Sequence, residues 1–191
     1  MTRGPTLPAH RQPYLPTPLD AFNTAPADEA RALLLHCLHS PRWSRRIADH
    51  RPYPDLDALL AAADEAAYDL SPRDLAEALA GECLPELPED TYSAAHMALS
   101  AAHAAYEARF GHAFVLYLGD AAPDEVIDHI LEAIRSRLAN DPEEERVVAA
   151  DELRRLARGR LLGLLSGAGL CSICGRRHVA VTSPNTPAPG K

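Results

Sequence analysis

Apolar residues recur at every third or fourth position along most of this chain, a spacing that predicts a succession of amphipathic helices. The stretch from Asp55 to Leu70 is a clear case, because its leucines and several alanines fall on one helical face. These residues are Leu56, Leu59, Leu60, Ala63 and Ala67. Outside the short segment Phe114–Leu118, the sequence lacks the alternation of apolar and polar residues that is typical of strands, so the predicted fold class is all-α.

Short signals indicate where the other helices begin and end. Ser40-Pro41 and Ser71-Pro72 predict helix starts, since serine caps the amide groups of a first turn and proline fits its first position. Further helices are predicted over about Asp28–His39, Tyr92–Phe110, Pro123–Leu138 and Asp141–Leu165. The apolar segment Phe114–Leu118 is too short for its periodicity to decide between helix and strand.

Proline-rich ends frame one central domain. Residues 1–20 contain five prolines, which remove amide donors and block helix formation. We therefore expect residues 1–20 to be a flexible tail and residues 21–165 to be the helical domain. Residues 166–191, which contain glycines, cysteines and prolines, are predicted to be a second tail.

The composition narrows the function classes. Lys and Arg number 19 against 27 Asp and Glu, which gives a formal net charge of −8 and argues against nucleic-acid binding. The sequence has no uncharged run of about 18 apolar residues, so no membrane span is expected. Without a recognisable export signal we expect a cytoplasmic location, in which the four cysteines stay reduced.

The predicted helix Tyr92–Phe110 carries a polar stripe with candidate chemistry. Its members recur at steps of three and four residues, which places them on one narrow face. They are Ser93, His96, Ser100, His103 and Glu107. Two imidazoles beside a carboxylate can transfer protons near neutral pH if the stripe lines a pocket. The alternative is a solvated helix face.

Other polar clusters have more ordinary interpretations. Cys171, Cys174 and His178 resemble half a zinc site, but a structural site needs a fourth ligand, so free thiols or a zinc shared across a dimer are the alternatives and no metal is assigned. Cys37 lies between His36 and His39, but its leucine neighbours favour a core helix over a catalytic pair. The arginines near Arg42 and Arg46 are interpreted as a solvated face or a set of ion pairs.

Several segments, taken in order, resemble the OHCU decarboxylase family (2-oxo-4-hydroxy-4-carboxy-5-ureidoimidazoline decarboxylases). They are Ser40-Pro41-Arg42-Trp43, Arg51-Pro52-Tyr53, the run Tyr106–Val115 with its Y-x-x-R-F-G-x-x-F pattern, and Arg137–Asp141. The resemblance covers roughly residues 19–165. It implies a compact, single-domain helical bundle of the OHCU decarboxylase type.

The resemblance also implies an activity. Family members act late in urate breakdown, where they remove CO₂ from a ureidoimidazoline and protonate the product on one face to give (S)-allantoin. It implies a small-molecule substrate, no cofactor and a homodimer, with no membrane or nucleic-acid partner. Such chemistry needs a shaped pocket, donors for the substrate and a placed proton donor.

The family's active residues are replaced in this chain. Glu82 and Cys83 stand where a His-Pro pair is expected, and in the S-x-x-E-Q motif Ser93 is kept while His96 and Met97 replace Glu and Gln. We therefore predict Glu82 and His96 as an exchanged catalytic pair. The predicted substrate-binding residues are Ser93, Met97, His103, Phe114, Val115, Leu116, Tyr117 and Leu118. The alternative is an inactive or substrate-switched relative that acts as a binding or scaffold protein.

Overall fold

The computed structural model describes residues 17–82, 93–119, 122 and 125–166. Within these residues the chain forms eight α-helices and no strand, which confirms the all-α prediction. The helices are α1 (Pro18–Thr24), α2 (Ala27–Cys37), α3 (Pro41–Asp49), α4 (Leu56–Tyr68), α5 (Pro72–Ala80), α6 (Ser93–Phe110), α7 (Val126–Arg137) and α8 (Pro142–Leu165). None of these helices is long and apolar enough to cross a membrane.

The capping residues behave as the sequence indicates. The Ser40 hydroxyl accepts from the Trp43 amide at the start of α3, and Ser71 forms a capping box with Asp74 at the start of α5. Asp141 caps α8 in the same way, with Pro142 in the first position. These side chains satisfy amide donors that a helix leaves unpaired at its N-terminus.

Helix α1 differs from the prediction, because it begins inside the segment expected to be a flexible tail. Thr17 and Asp20 form a capping box, and Pro18 occupies the first turn. Proline blocks helix only in interior positions, so this proline favours the start instead. Phe22 then lies buried against the larger core.

The larger core joins α1–α5 to α8. Trp43 is its largest fully buried side chain, and its indole N–H donates to the Ala63 carbonyl at 2.9 Å. The Arg51 guanidinium donates to the carbonyl oxygens of Phe22 and Ala25, which fastens the end of α1 to the segment after α3. The indole of Trp43 and the guanidinium of Arg51 are therefore paired with backbone oxygens.

A smaller second core lies between α6 and α7. Its buried members are Leu99, Tyr106, Phe114, Val126, Ile130 and Ile134. Tyr106 on α6, Arg137 on α7 and Glu145 on α8 form a buried hydrogen-bonded network that links this unit to α8. Helix α8 is thus the element that both parts of the fold share.

Candidate functional site

Glu82 is placed by the close packing of α5 against the end of α2. A Cβ atom at Gly81 would lie 2.5 Å from the Cβ of His39, so the chain can pass here only with glycine. The Glu82 side chain follows immediately and is only 3% exposed. This predicted catalytic residue therefore lies in the interior, where α2, α5 and α8 approach one another.

The carboxylate of Glu82 is held by Arg160 of α8. Arg160 donates from Nη1 to Oε1 at 2.8 Å and from Nη2 to Oε2 at 2.7 Å, a bidentate pair. Its Nη1 also donates to the Cys37 carbonyl at the C-terminal end of α2. A guanidinium in this planar geometry is suited to carboxylates, and a buried charged pair of this kind is stable only when both charges are present.

One imidazole lies beside this pair, and it belongs to His39. The His39 Nδ1 atom is 3.9 Å from Glu82 Oε1, and the His39 side chain is half exposed. An imidazole at the surface edge of a buried carboxylate can exchange protons with solvent. Glu82, Arg160 and His39 thus place a carboxylate, a fixed cation and a titratable base together.

The Cys37 thiol does not take part in such chemistry. Burial raises the pKa of the Cys37 thiol to about 12, although the charge of Arg160 opposes the shift. The thiolate, which is the nucleophilic form, is therefore scarce at neutral pH. The side chain belongs to the core, which confirms the packing interpretation.

The predicted pocket wall, residues 114–118, has no helical or strand assignment and runs past α8. Phe114 and Val115 are buried, Leu116 and Leu118 are partly buried, and Tyr117 is 42% exposed. The Val115 carbonyl accepts from Arg137 at 2.6 Å, and the Tyr117 amide donates to Glu152 at 2.7 Å. The Tyr117 ring lies against Gly159, the residue before Arg160.

The polar stripe of α6 contains both exposed and buried side chains. His96 and Met97 are exposed, Met97 at 67%, so neither lies in a closed pocket in this structure. Ser93 is the first residue of α6. No hydrogen bond or ion pair joins His96 to Glu82 in the part of the chain that the structure describes.

His103, from the same stripe, is buried. Its ring centroid lies 5.9 Å from that of Phe114, and its Nε2 atom has no hydrogen-bond partner among the described residues. Burial lowers the pKa of His103, with a smaller opposing effect from Glu107, so the imidazole is neutral at pH 7. An unpaired buried nitrogen is costly and calls for a partner, which a bound ligand would provide.

The sequence analysis missed Arg160 and His39. Arg160 lies in a helix rich in arginine, but it follows Leu153 by seven residues and Leu156 by four, which places it on the apolar face. That position was the available signal, and it does not show which carboxylate the guanidinium meets. Cys83 and the half zinc site of Cys171, Cys174 and His178 lie outside the described residues.

The motif residues behind the resemblance are structural. Arg109 donates to the Asn140 carbonyl at 2.9 Å, the Tyr53 hydroxyl donates to the Ile47 carbonyl, and Tyr106 belongs to the buried network. Arg46 forms ion pairs with Glu65 and Asp69, in line with the ion-pair interpretation of the arginine cluster. The motifs therefore identify the fold more directly than they identify catalytic residues.

The fold and this set of residues define an all-α protein with a buried carboxylate–guanidinium pair beside a short irregular wall. The family model for OHCU decarboxylase matches residues 23–162, and the chain belongs to the OHCU decarboxylase family. No curated protein sequence matches the chain.

Two solved structures share the fold. One is an OHCU decarboxylase crystallised in the presence of (S)-allantoin, with a TM-score of 0.61 at 18% identity over 74% of this chain and 99% of that chain. The other is an (S)-allantoin synthase, with a TM-score of 0.60 at 19% identity over 77% of this chain. This chain spans about half the length of that synthase, of which 53% is covered.

Proposed function

We propose that this chain is a cofactor-free decarboxylase that converts 2-oxo-4-hydroxy-4-carboxy-5-ureidoimidazoline to (S)-allantoin. The observation that carries the proposal is the buried pair of Glu82 and Arg160 with His39 at its edge. Glu82 stands where the family has its active-site histidine, so the position keeps an acid–base group of the other kind. Family membership supplies the substrate class.

The reaction needs one group that stabilises negative charge and one group that donates a proton. The bond between the ring carbon and the carboxylate carbon breaks, CO₂ leaves, and the electron pair stays on the ring carbon until it takes a proton. A fixed cation beside the reacting anion stabilises the charge as it moves. In the proposal Arg160 has that role, the ionised Glu82 carboxylate holds Arg160 in place, and a neighbouring imidazole delivers the proton to one face.

Two histidines are candidates for that imidazole. The sequence analysis assigns it to His96 on α6, which is exposed. The geometry favours His39, because its Nδ1 atom already lies 3.9 Å from Glu82. We assign the role of the proton-donating imidazole to His39. His96 is the alternative, and single histidine variants distinguish the two. Ser93, Met97, His103 and residues 114–118 stay as predicted substrate contacts, and the unpaired Nε2 of His103 supports its inclusion.

The test is an assay on freshly generated substrate that follows the optical activity of the allantoin formed. The wild-type chain should form (S)-allantoin faster than the spontaneous reaction, which gives both enantiomers. Racemic product at the spontaneous rate would contradict the proposal. Circular dichroism of the same sample establishes that the helices are folded.

Single histidine variants then assign the imidazole. His39→Ala should lower kcat by a factor of about 10² or more, as expected for removal of a proton-transfer group. His36→Ala, on the exposed side of α2, is the matched control and should stay near wild type. A loss in His96→Ala with none in His39→Ala would return the role to His96, as the sequence predicts.

A second candidate function is a non-catalytic or substrate-switched relative that binds another molecule or acts as a scaffold. Two observations favour it: His96 is exposed, and Arg160 already holds Glu82. A folded wild-type chain without acceleration of the reaction would support this alternative.

The homodimer and the cytoplasmic location are further proposals drawn from the resemblance. Sedimentation of the full chain measures the first, and fractionation of cells that express it measures the second.

A further inference from the structure

Helix α8 contacts the wall segment, residues 114–118, at two points. The Tyr117 amide donates to Oε2 of Glu152 at 2.7 Å. The Tyr117 ring covers Gly159, where an added Cβ would come 2.8 Å from the ring atom Cε2. Residues seven apart lie on one face of a helix, so Glu152 and Gly159 both contact Tyr117 from the same face of α8.

Glu152 is less exposed than its pairing alone explains. Its i,i+3 pair with Arg155 is of the same type as the surface pair Glu143–Arg146. Yet the Glu152 side chain is 12% exposed, whereas that of Glu143 is 80% exposed. Glu152 lies beside the wall segment, where its carboxylate accepts the Tyr117 amide, whereas Glu143 lies in the exposed first turn of α8.

Gly159 sets the distance between the wall segment and the charged pair. It directly precedes Arg160, whose guanidinium holds Glu82. The contact of Tyr117 with Gly159 and the ion pair of Arg160 are therefore fixed on neighbouring residues of one rigid helix. A side chain at residue 159 would have to displace the Tyr117 ring, and the proposal requires that this displacement reach the wall segment.

We propose that Glu152 and Gly159 are positioning residues that fix the wall segment relative to Arg160. The proposal rests on the decarboxylase function proposed above. Neither residue touches the reacting atoms; both act through Tyr117. A displacement of about 1 Å in such a site can lower turnover by a factor of about 10².

The experiment compares Glu152→Leu, Glu152→Gln and Gly159→Ala in the full chain. Glu152→Leu should lower kcat at least about 10-fold, with a smaller change in KM, because the alignment of the site is lost. Glu152→Gln should restore most of the activity, since the amide oxygen accepts the same hydrogen bond. Gly159→Ala should also lower kcat, although alanine favours helix over glycine.

Amide hydrogen exchange provides the second readout. Exchange at Tyr117 should become at least about 10-fold faster in Glu152→Leu than in the wild type, because its acceptor is gone. Glu143→Leu and Glu143→Gln are the matched controls, since that pair does not touch the wall. They should leave both kcat and Tyr117 exchange unchanged.

The outcomes separate the two proposals. If the wild type accelerates the reaction and the Glu152→Leu and Gly159→Ala variants keep its kcat, the positioning role is wrong while the function stands. If the wild type is inactive, the proposed decarboxylase function is wrong, and amide exchange at Tyr117 tests by itself whether Glu152 fixes the wall segment. Unchanged exchange at Tyr117 in Glu152→Leu would show that Glu152 does not fix the wall segment either.

Discussion

Two buried arginine–glutamate pairs use opposite ends of helix α8. Glu145, in its first turn, binds Arg137, and Arg160, near its last turn, binds Glu82. Each charge lies at the end of the helix where the dipole favours it. The pairs differ in what surrounds them, and that difference separates a structural role from a candidate catalytic one.

The Glu145 pair is fully enclosed. Its carboxylate accepts from Arg137, the Tyr106 hydroxyl and the Asn140 amide, and the Arg137 guanidinium lies 4.6 Å from the Phe114 ring centroid. Burial, with the Glu145 hydrogen bond second, raises the pKa of Tyr106 well above its usual value. This network is saturated by protein groups and holds the second core to α8.

The Glu82 pair differs in that an imidazole lies beside it. Its carboxylate accepts from Arg160, and the half-exposed His39 lies at a longer distance. Burial alone therefore does not separate the two pairs, whereas the half-exposed imidazole beside Glu82 does.

The largest effect is expected at the enclosed pair. Glu145→Gln leaves the Arg137 cation buried without its counter-charge, which should cost about 3–5 kcal/mol of unfolding free energy. Urea unfolding followed by circular dichroism measures the loss. Glu132→Gln, which ends an exposed i,i+3 pair with Arg135, is the control and should change little. Equal unfolding free energies of Glu145→Gln and Glu132→Gln would show that the enclosed pair does not stabilise the fold more than a surface pair does.

A smaller loss of stability is expected at the Glu82 pair. Glu82→Gln should cost about 1–3 kcal/mol, because Arg160 keeps its bond to the Cys37 carbonyl. The same variant should lower decarboxylation about 10²-fold. Unfolding curves and the optical assay on one preparation test both values. A stability loss as large as that of Glu145→Gln would make both pairs structural.

The smallest effect concerns acidification of the second core. Burial lowers the pKa of His103 in the folded chain, so the unfolded chain binds this proton more readily. Its contribution to stability is therefore present at neutral pH and is lost as pH falls below the ordinary histidine value of about 6.5. The loss can reach at most about 1.4 kcal/mol per pH unit for one proton.

Urea unfolding at several pH values between about 7.5 and 5 measures this dependence. The slope should be smaller in His103→Leu than in the wild type, because the variant cannot bind the proton. An unchanged slope in His103→Leu would show that His103 does not weaken the second core at acid pH.

Much of the helical pattern could be predicted from local sequence. Ser40, Ser71 and Asp141 stand next to prolines that fit a first turn, and the observed caps use these residues. Helix α1 was missed because a dense run of prolines hides a single one that starts a helix. The site was harder to predict, because the partners of Glu82 lie 43 residues before it and 78 after it in the chain, at His39 and Arg160.

Local sequence was enough to predict most of the helices and the family, and the resemblance placed Glu82 where the family has a histidine. Those properties depend on neighbouring residues or on ordered motifs. Only the tertiary structure decided that Arg160 holds Glu82, that His39 rather than His96 lies beside it, and that His103 is buried while His96 meets water. The reason is physical: partner choice and burial are set by the packing of distant helices, and helical periodicity assigns a residue to a face without showing what that face meets.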